Sequence, residues 1–75
     1  MTIEEFIENF AGEFDETPAD TFSASTEFKT LKEWNSLTAL SVISMIDDQY
    51  DKTITGADLR GSKTIEDLFN LVAAK

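Results

Sequence analysis

The side chains of this sequence that could do chemistry are hydroxyls and carboxylates, because the chain contains neither cysteine nor histidine. Without cysteine, a thiolate zinc site, a disulfide framework and a thiol nucleophile are excluded. Without histidine, the commonest general base and the commonest metal ligand are missing. The Gly-x-Ser-x-Gly turn of many serine hydrolases is also absent. A catalytic serine is therefore not expected.

One serine has a position of interest, Ser36 in the stretch Trp34-Asn35-Ser36-Leu37 near the middle of the chain. Asn and Ser are both favoured helix N-caps, so one interpretation is that Ser36 only caps a helix. The other interpretation is a modification site. A helix N-terminus offers unpaired N–H groups and a positive dipole end, which would stabilise a phosphodiester attached at Ser36.

The charge of the chain limits the kinds of partner it can have. Six Lys and Arg face fifteen Asp and Glu among 75 residues, and residues 1–20 hold seven of the acids and no base. Nucleic acid and anionic membranes are poor partners for such a surface, whereas a basic protein is a better one. The alternative is that the acids only keep a small domain in solution.

The length predicts one domain, residues 1–75, and we expect a monomer. No apolar run approaches the ~20 residues that span a bilayer, so membrane insertion is not expected. The acidic first residues are unlike the basic start of a signal peptide. We expect a cytoplasmic location.

The elements that would position Ser36 are three amphipathic helices, each with a start signal. Thr2 and Thr64 each begin a capping-box pattern, and the second helix is predicted from about Ser36 to Tyr50. A short helical turn capped by Thr55 and ended by Gly61 lies between the second and last helices. No segment alternates with period two for long enough to predict a strand.

The segment from Asp15 to Glu33 is long for a structureless loop. It contains apolar groups to bury, so we expect an ordered loop pinned by Phe22, Phe28, Leu31 and Trp34. The predicted fold is all-α, a small four-helix bundle with three longer helices and one short one.

The second helix is predicted to have two apolar faces. At about 100° per residue, the core-facing stripe comprises Ala39, Val42, Ile43, Ile46 and Tyr50. The opposite side comprises Leu37, Leu40, Ser41, Ser44 and Asp48, with Asp47 at its edge. Two outward leucines near two carboxylates suit a docking surface for a basic partner. Alternatively, the leucines pack under the long loop or against the short turn near Leu59, or they are single exposed leucines of the kind that is normal on protein surfaces.

These features together resemble the acyl carrier proteins. Trp34-Asn35-Ser36-Leu37, at the start of a helix with acids at its far end, is similar to the Asp-Ser-Leu attachment motif of that family. The resemblance extends over nearly the whole chain, through the acidic first helix, the long loop, the short third helix and a last helix that begins Thr-Ile. It implies an acyl-carrier-like four-helix fold.

The resemblance also implies a mechanism. A phosphopantetheinyl transferase, with magnesium, would move the 4'-phosphopantetheine of coenzyme A onto Ser36, which supplies the thiol that this chain lacks. The arm would then hold acyl groups as thioesters and deliver them to acyl-transferring and acyl-processing enzymes. The protein itself would catalyse nothing and would not be an enzyme. Partner enzymes with basic docking patches would contact Leu37, Leu40, Asp47 and Asp48. An acyl chain would be lined by Phe28, Ala39, Val42, Ile46, Ile54 and Leu59, which could equally be ordinary core.

The sequence departs from the family at three positions. Asn35 replaces the usual Asp, which keeps an acceptor and the capping ability but loses a charge that would meet a basic group on the transferase. Thr38 and Ser41 are neutral where fatty-acid carriers are often acidic. These departures indicate a specialised carrier in fatty acid, lipid, polyketide or surface-glycan modification pathways, among which the sequence does not choose.

Two other interpretations compete with the carrier. The first is a small acidic helical adaptor, or a degenerate carrier, that binds a partner through Leu37 and Leu40 without a prosthetic group. The second is a calcium site, because Asp51 and Gly56 match positions 1 and 6 of an EF-hand loop. Ser62 at position 12 lacks the bidentate carboxylate of that loop, and the pattern is weak.

Overall fold

The computed structural model describes all 75 residues and contains only helices and their connections. The four α-helices are α1 (Ile3–Ala11), α2 (Ser36–Tyr50), α3 (Gly56–Gly61) and α4 (Ile65–Ala73). The long loop between α1 and α2 contains two single turns of 3₁₀-helix, Ala19–Thr21 and Phe28–Thr30. The predicted all-α class, with three longer helices and one short one, is confirmed.

Each α-helix begins where a side-chain oxygen accepts a hydrogen bond from a free backbone N–H of the first turn. The four capping residues are Thr2, Asn35, Thr55 and Thr64. Thr55 and Thr64 form reciprocal capping boxes with Asp58 and Asp67. At Thr2 the hydroxyl accepts from the Glu5 N–H at 3.2 Å, but Glu5 does not return the bond.

The core is one cluster of 13 buried apolar residues drawn from every helix and from the long loop. Helix α1 packs against both α2 and α4, and α3 packs against α4. Val42 and Ile46 of the predicted stripe are fully buried, whereas Ala39, Ile43 and Tyr50 are half-buried at its edges. Burial of this stripe fixes the rotation of α2 about its own axis, and so decides which residues face outward.

Aromatic rings pin the long loop, as the sequence predicts. Phe22 and Phe28 are buried and each packs edge-on against Phe10 of α1, with ring centroids 6.1 and 5.4 Å apart. Trp34 packs edge-on against Phe28 at 5.0 Å and stacks on Phe14 at 6.4 Å. Because Trp34 comes two residues before Ser36, these rings position the start of α2.

The segment proposed above as a calcium loop follows α2 directly. Asp51 is the C-cap of α2 and has a left-handed backbone conformation, with φ 55°. Nowhere does the fold gather three or more carboxylates into a cluster that could hold a metal ion. None of the helices combines the length and the apolar character that crossing a membrane requires.

Candidate functional site

Asn35 is the residue that caps α2. Its side-chain oxygen accepts from the backbone N–H groups of Leu37 at 2.8 Å and Thr38 at 3.1 Å. Its backbone carbonyl accepts from the Ala39 N–H at 2.9 Å and starts the helical ladder. The side chain of Asn35 therefore satisfies two of the N–H groups that a helix N-terminus leaves unpaired. The interpretation of Ser36 as the cap is wrong.

Ser36 is the first residue of α2 and is exposed. Neither its hydroxyl nor its backbone N–H makes a hydrogen bond within the protein. Since Asn35 does the capping, the Ser36 hydroxyl has no structural task that a covalent modification would disrupt.

The backbone that leads into α2 is held by Glu33. Its carboxylate accepts four hydrogen bonds of 2.5–3.1 Å from the loop after α1, donated by the N–H groups of Asp15, Glu16 and Thr17 and by the Thr17 hydroxyl. The hydroxyl bond from Thr17, more than the backbone bonds, lowers the pKa of Glu33 below its usual value of 4.5. The Glu33 carbonyl also accepts from the Thr38 hydroxyl at 2.5 Å.

Leu37 and Leu40 are exposed, with 76% and 59% of their surface accessible, as the sorting of α2 faces predicts. They do not pack under the long loop or against α3. Together with the buried Met45 they line an open groove of about 410 Å³ whose other walls include Glu13 and Asp48. Two exposed leucines beside carboxylates form the most apolar part of the outer surface of α2. We call the surface of Leu37, Leu40, Asp47 and Asp48 the α2 outer face.

The acids of the α2 outer face lie at its C-terminal end. Asp47 and Asp48 are both exposed, and neither forms an ion pair or a side-chain hydrogen bond. A second acidic surface lies at the N-terminal end of α2, where Glu13, Asp15 and Glu16 line a polar groove that also contains Leu37. The negative charge of the chain thus brackets the exposed leucines at both ends.

A second groove, of about 280 Å³, opens on the other side of Ser36, between the start of α2, the second 3₁₀ turn and α3. We call it the α2–α3 groove; its walls are Lys29, Trp34, Asn35, Ser36, Ala39, Gly56, Leu59 and Arg60. It is lined by apolar groups and two cations. The Lys29 ammonium donates to the Arg60 carbonyl at 2.7 Å and so links the 3₁₀ turn to α3.

The residues predicted to line an acyl chain divide into two sets. Phe28, Val42, Ile46, Ile54 and Leu59 are buried in the core, with exposures of 2% or less. Ala39 is half-buried and, with Leu59, reaches the wall of the α2–α3 groove. No groove extends among the other four. Their role as acyl lining stays a prediction.

Three features of the site escaped the sequence analysis. Lys29 and Arg60 are 31 residues apart, and nothing local indicates that they meet. Glu33 reads as an ordinary surface acid, although its place just before a capped helix was a usable signal. Met45 lies outside the predicted stripe but is buried, because other parts of the fold cover that side of α2.

Comparisons of this chain with protein-family models, with curated proteins and with solved structures each gave no match. The case for a function therefore depends on the residues of the site and on their surroundings.

Proposed function

We propose that this chain is an acyl carrier protein that holds acyl intermediates as thioesters on a 4'-phosphopantetheine arm attached to Ser36. The arm supplies a thiol, a nucleophile that a chain without cysteine cannot provide. In this proposal the chain itself catalyses no reaction. Its residues present the attachment hydroxyl, surround the base of the arm and offer a surface to successive enzymes.

The observation that carries the proposal is the division of labour between Asn35 and Ser36. Asn35 accepts from both N–H groups that a cap can reach, while the Ser36 hydroxyl is exposed and bonded to nothing. A serine that served the fold would be expected to use its oxygen as a cap. A serine that must accept a phosphodiester needs the opposite, an accessible oxygen on a rigid element.

The surroundings of Ser36 fit a phosphodiester. The unpaired N–H of Ser36 itself and the positive end of α2 lie at the attachment point. The cations Lys29 and Arg60 line the adjacent groove. Trp34 and Leu59 form apolar walls of that groove, and the rest of the arm would pack against them.

The α2 outer face suits delivery of cargo to several enzymes. Exposed leucines gain from burial against a partner, and the surrounding carboxylates raise the rate of encounter with basic patches. Leu37 lies directly beside the attachment residue, so a partner that covers Leu37 also covers the base of the arm. We expect Leu37→Ala to weaken docking without lowering stability, measured as Kd for a partner enzyme beside the melting temperature.

The first test is loading by a phosphopantetheinyl transferase. The purified protein is incubated with coenzyme A, magnesium and a broad-specificity transferase, and its intact mass is recorded. The Ser36 oxygen would displace adenosine 3',5'-bisphosphate from the pyrophosphate of coenzyme A and lose its proton. We expect the addition of one phosphopantetheine group in the wild type and none in Ser36→Ala. The control is Ser44→Ala, which removes an exposed serine from the same helix and should load normally.

The asparagine at the cap gives a second test. Asn35→Asp keeps the side-chain oxygen that caps α2 and restores a negative charge beside Ser36. We expect this variant to load faster than the wild type, because the transferase meets carriers with a basic surface. If the wild type and Asn35→Asp load at the same rate as each other, at low salt as well as at high salt, the charge at position 35 has no part in recognition by the transferase.

A second function is favoured by one observation, the exposure of Leu37 and Leu40. A small acidic adaptor, or a carrier that has lost its modification, would use this apolar surface without any prosthetic group. The loading experiment separates the two. An adaptor binds its basic partner equally well as wild type and as Ser36→Ala, and it never gains mass.

A further inference from the structure

The α2–α3 groove differs from the other surface grooves of this protein in its charge. It is lined by Lys29 and Arg60 and by no carboxylate. Each of the other three grooves includes at least two acids, in agreement with a net charge of −9. Two of the chain's six cationic residues are therefore gathered at the one groove that contains Ser36.

A hydrogen bond ties Lys29 to the fold at this groove, and the side chain of Arg60 lies along α3. The Lys29 ammonium donates to the Arg60 carbonyl at 2.7 Å. The Arg60 guanidinium lies over the first turn of α3, where a Cβ at Gly56 would come within 3.3 Å of its Nη1. The glycine leaves room for the guanidinium to lie along the wall of the groove.

Neither cation is neutralised by the protein. The one ion pair of the structure joins Lys75 to Asp58 and involves neither Lys29 nor Arg60. The chain has fifteen Asp and Glu residues, yet none of them pairs with Lys29 or Arg60. Both cations are therefore available to bind an anion that is not part of the protein chain. Arg and Lys are the side chains that bind phosphate best, Arg through the paired N–H groups of its guanidinium and Lys through its compact positive charge.

We propose that Lys29 and Arg60 bind the phosphodiester of the group attached to Ser36, so that the base of the arm lies in the α2–α3 groove. This inference rests on the proposed function, since it requires a modified Ser36. The phosphate is bonded directly to the serine oxygen, so it is the charged group of the arm that the wall of Lys29 and Arg60 would meet first. The apolar groups that follow it then pack against Trp34, Ala39 and Leu59.

The test compares the apo and phosphopantetheinylated forms of the wild type, of Lys29→Gln/Arg60→Gln and of Lys32→Gln/Lys63→Gln. All four positions are exposed, and both double variants lose two positive charges. The control pair lies outside the α2–α3 groove. The loaded form of each protein is separated from the apo form by ion exchange, because the phosphodiester adds a negative charge. The readouts are the melting temperature and the ³¹P resonance of the arm.

We expect loading to raise the melting temperature of the wild type and of the control by a few °C, the size that two exposed ion pairs give in a domain of this length. In Lys29→Gln/Arg60→Gln this rise should disappear, and the ³¹P resonance should move. An equal rise in all three proteins, with an unmoved resonance, overturns the inference but leaves the carrier function standing. A wild type that does not load overturns both.

Discussion

The starts of α2 and α4 differ, although both helices begin at a polar cap. At α4 every free N–H of the first turn has a partner within the protein. Ile65 and Glu66 donate to the carbonyls of Thr26 and Ala24 at 3.1 and 2.9 Å, and Asp67 donates to the Thr64 hydroxyl at 3.1 Å. Ile65, the first residue of α4, is fully buried.

The start of α2 faces outward instead. Its first residue is the exposed Ser36, its second is Leu37 with 76% of its surface accessible, and no reciprocal capping box forms. The first turn of α4 is thus closed by the fold, whereas the first turn of α2 leaves an apolar side chain and an unbonded hydroxyl at the surface. A partner or a modification has access to these two groups of α2 and to no equivalent groups of α4.

The largest effect that the comparison predicts concerns the apolar residue at each helix start. Ile65→Ala should lower the free energy of unfolding by about 2–5 kcal/mol, because it empties a fully buried site. Leu37→Ala should change it by no more than about 0.5 kcal/mol, as exposed substitutions do. Urea unfolding of both variants checks this. A large loss in Leu37→Ala would mean that the leucine belongs to the core.

The next effect concerns the cap of α2. Asn35→Ala should cost about 0.5–2 kcal/mol, since two N–H groups lose their acceptor. Ser36→Ala, one residue further, should cost close to nothing because its hydroxyl bonds to nothing. Chemical unfolding of the pair in the apo form gives the result. If the two variants lose the same free energy of unfolding, Ser36 stabilises the start of α2 as much as Asn35 does.

The smallest effect is the response of the two starts to acid. Backbone hydrogen bonds, first from Thr64 and then from Lys63, lower the pKa of Asp67 below its usual 3.8. A lowered folded-state pKa adds stability that is fully present above the unfolded value and is lost as the pH falls through the folded value. The cap of α2 does not titrate, since Asn35 is uncharged.

We therefore expect the wild type to lose stability below about pH 4 more steeply than Asp67→Asn does. The Thr64 and Lys63 amide resonances should move with a midpoint below the usual Asp value. Asp67→Asn provides the control, because its remaining amide movements over the same range come from other carboxylates, among them Glu33, whose pKa is also lowered. If the stability of the wild type and of Asp67→Asn falls equally with pH, the ionised Asp67 does not stabilise the start of α4.

The helices were largely predictable because their signals are local. The apolar spacing and the Asn-Ser pair predict α2 from Ser36 to Tyr50, and those are its bounds in the structure. The exposure of Leu37 and Leu40 followed from the same spacing. The sequence could not decide between Asn35 and Ser36 as the cap, because both residue types can accept the same N–H groups.

The loop and the α2–α3 groove were less predictable because they depend on contacts between distant residues. The hydrogen bonds of Glu33 reach back 16–18 residues, and the bond from Lys29 reaches 31 residues forward. Met45 is buried by neighbouring elements, which the angular position of a residue on its own helix cannot reveal. Local patterns placed Ser36 at the start of α2, whereas only the folded chain places two cations in the same groove.

The most direct test of the central claim is the mass of the protein purified from the cells that make it. Intact-mass measurement followed by peptide mapping reports whether Ser36 bears a group and what that group holds. We predict one phosphopantetheine group on Ser36. In some of the molecules that group should also carry an acyl group as a thioester, which hydroxylamine removes. A protein whose every copy carries an unmodified Ser36 would contradict it.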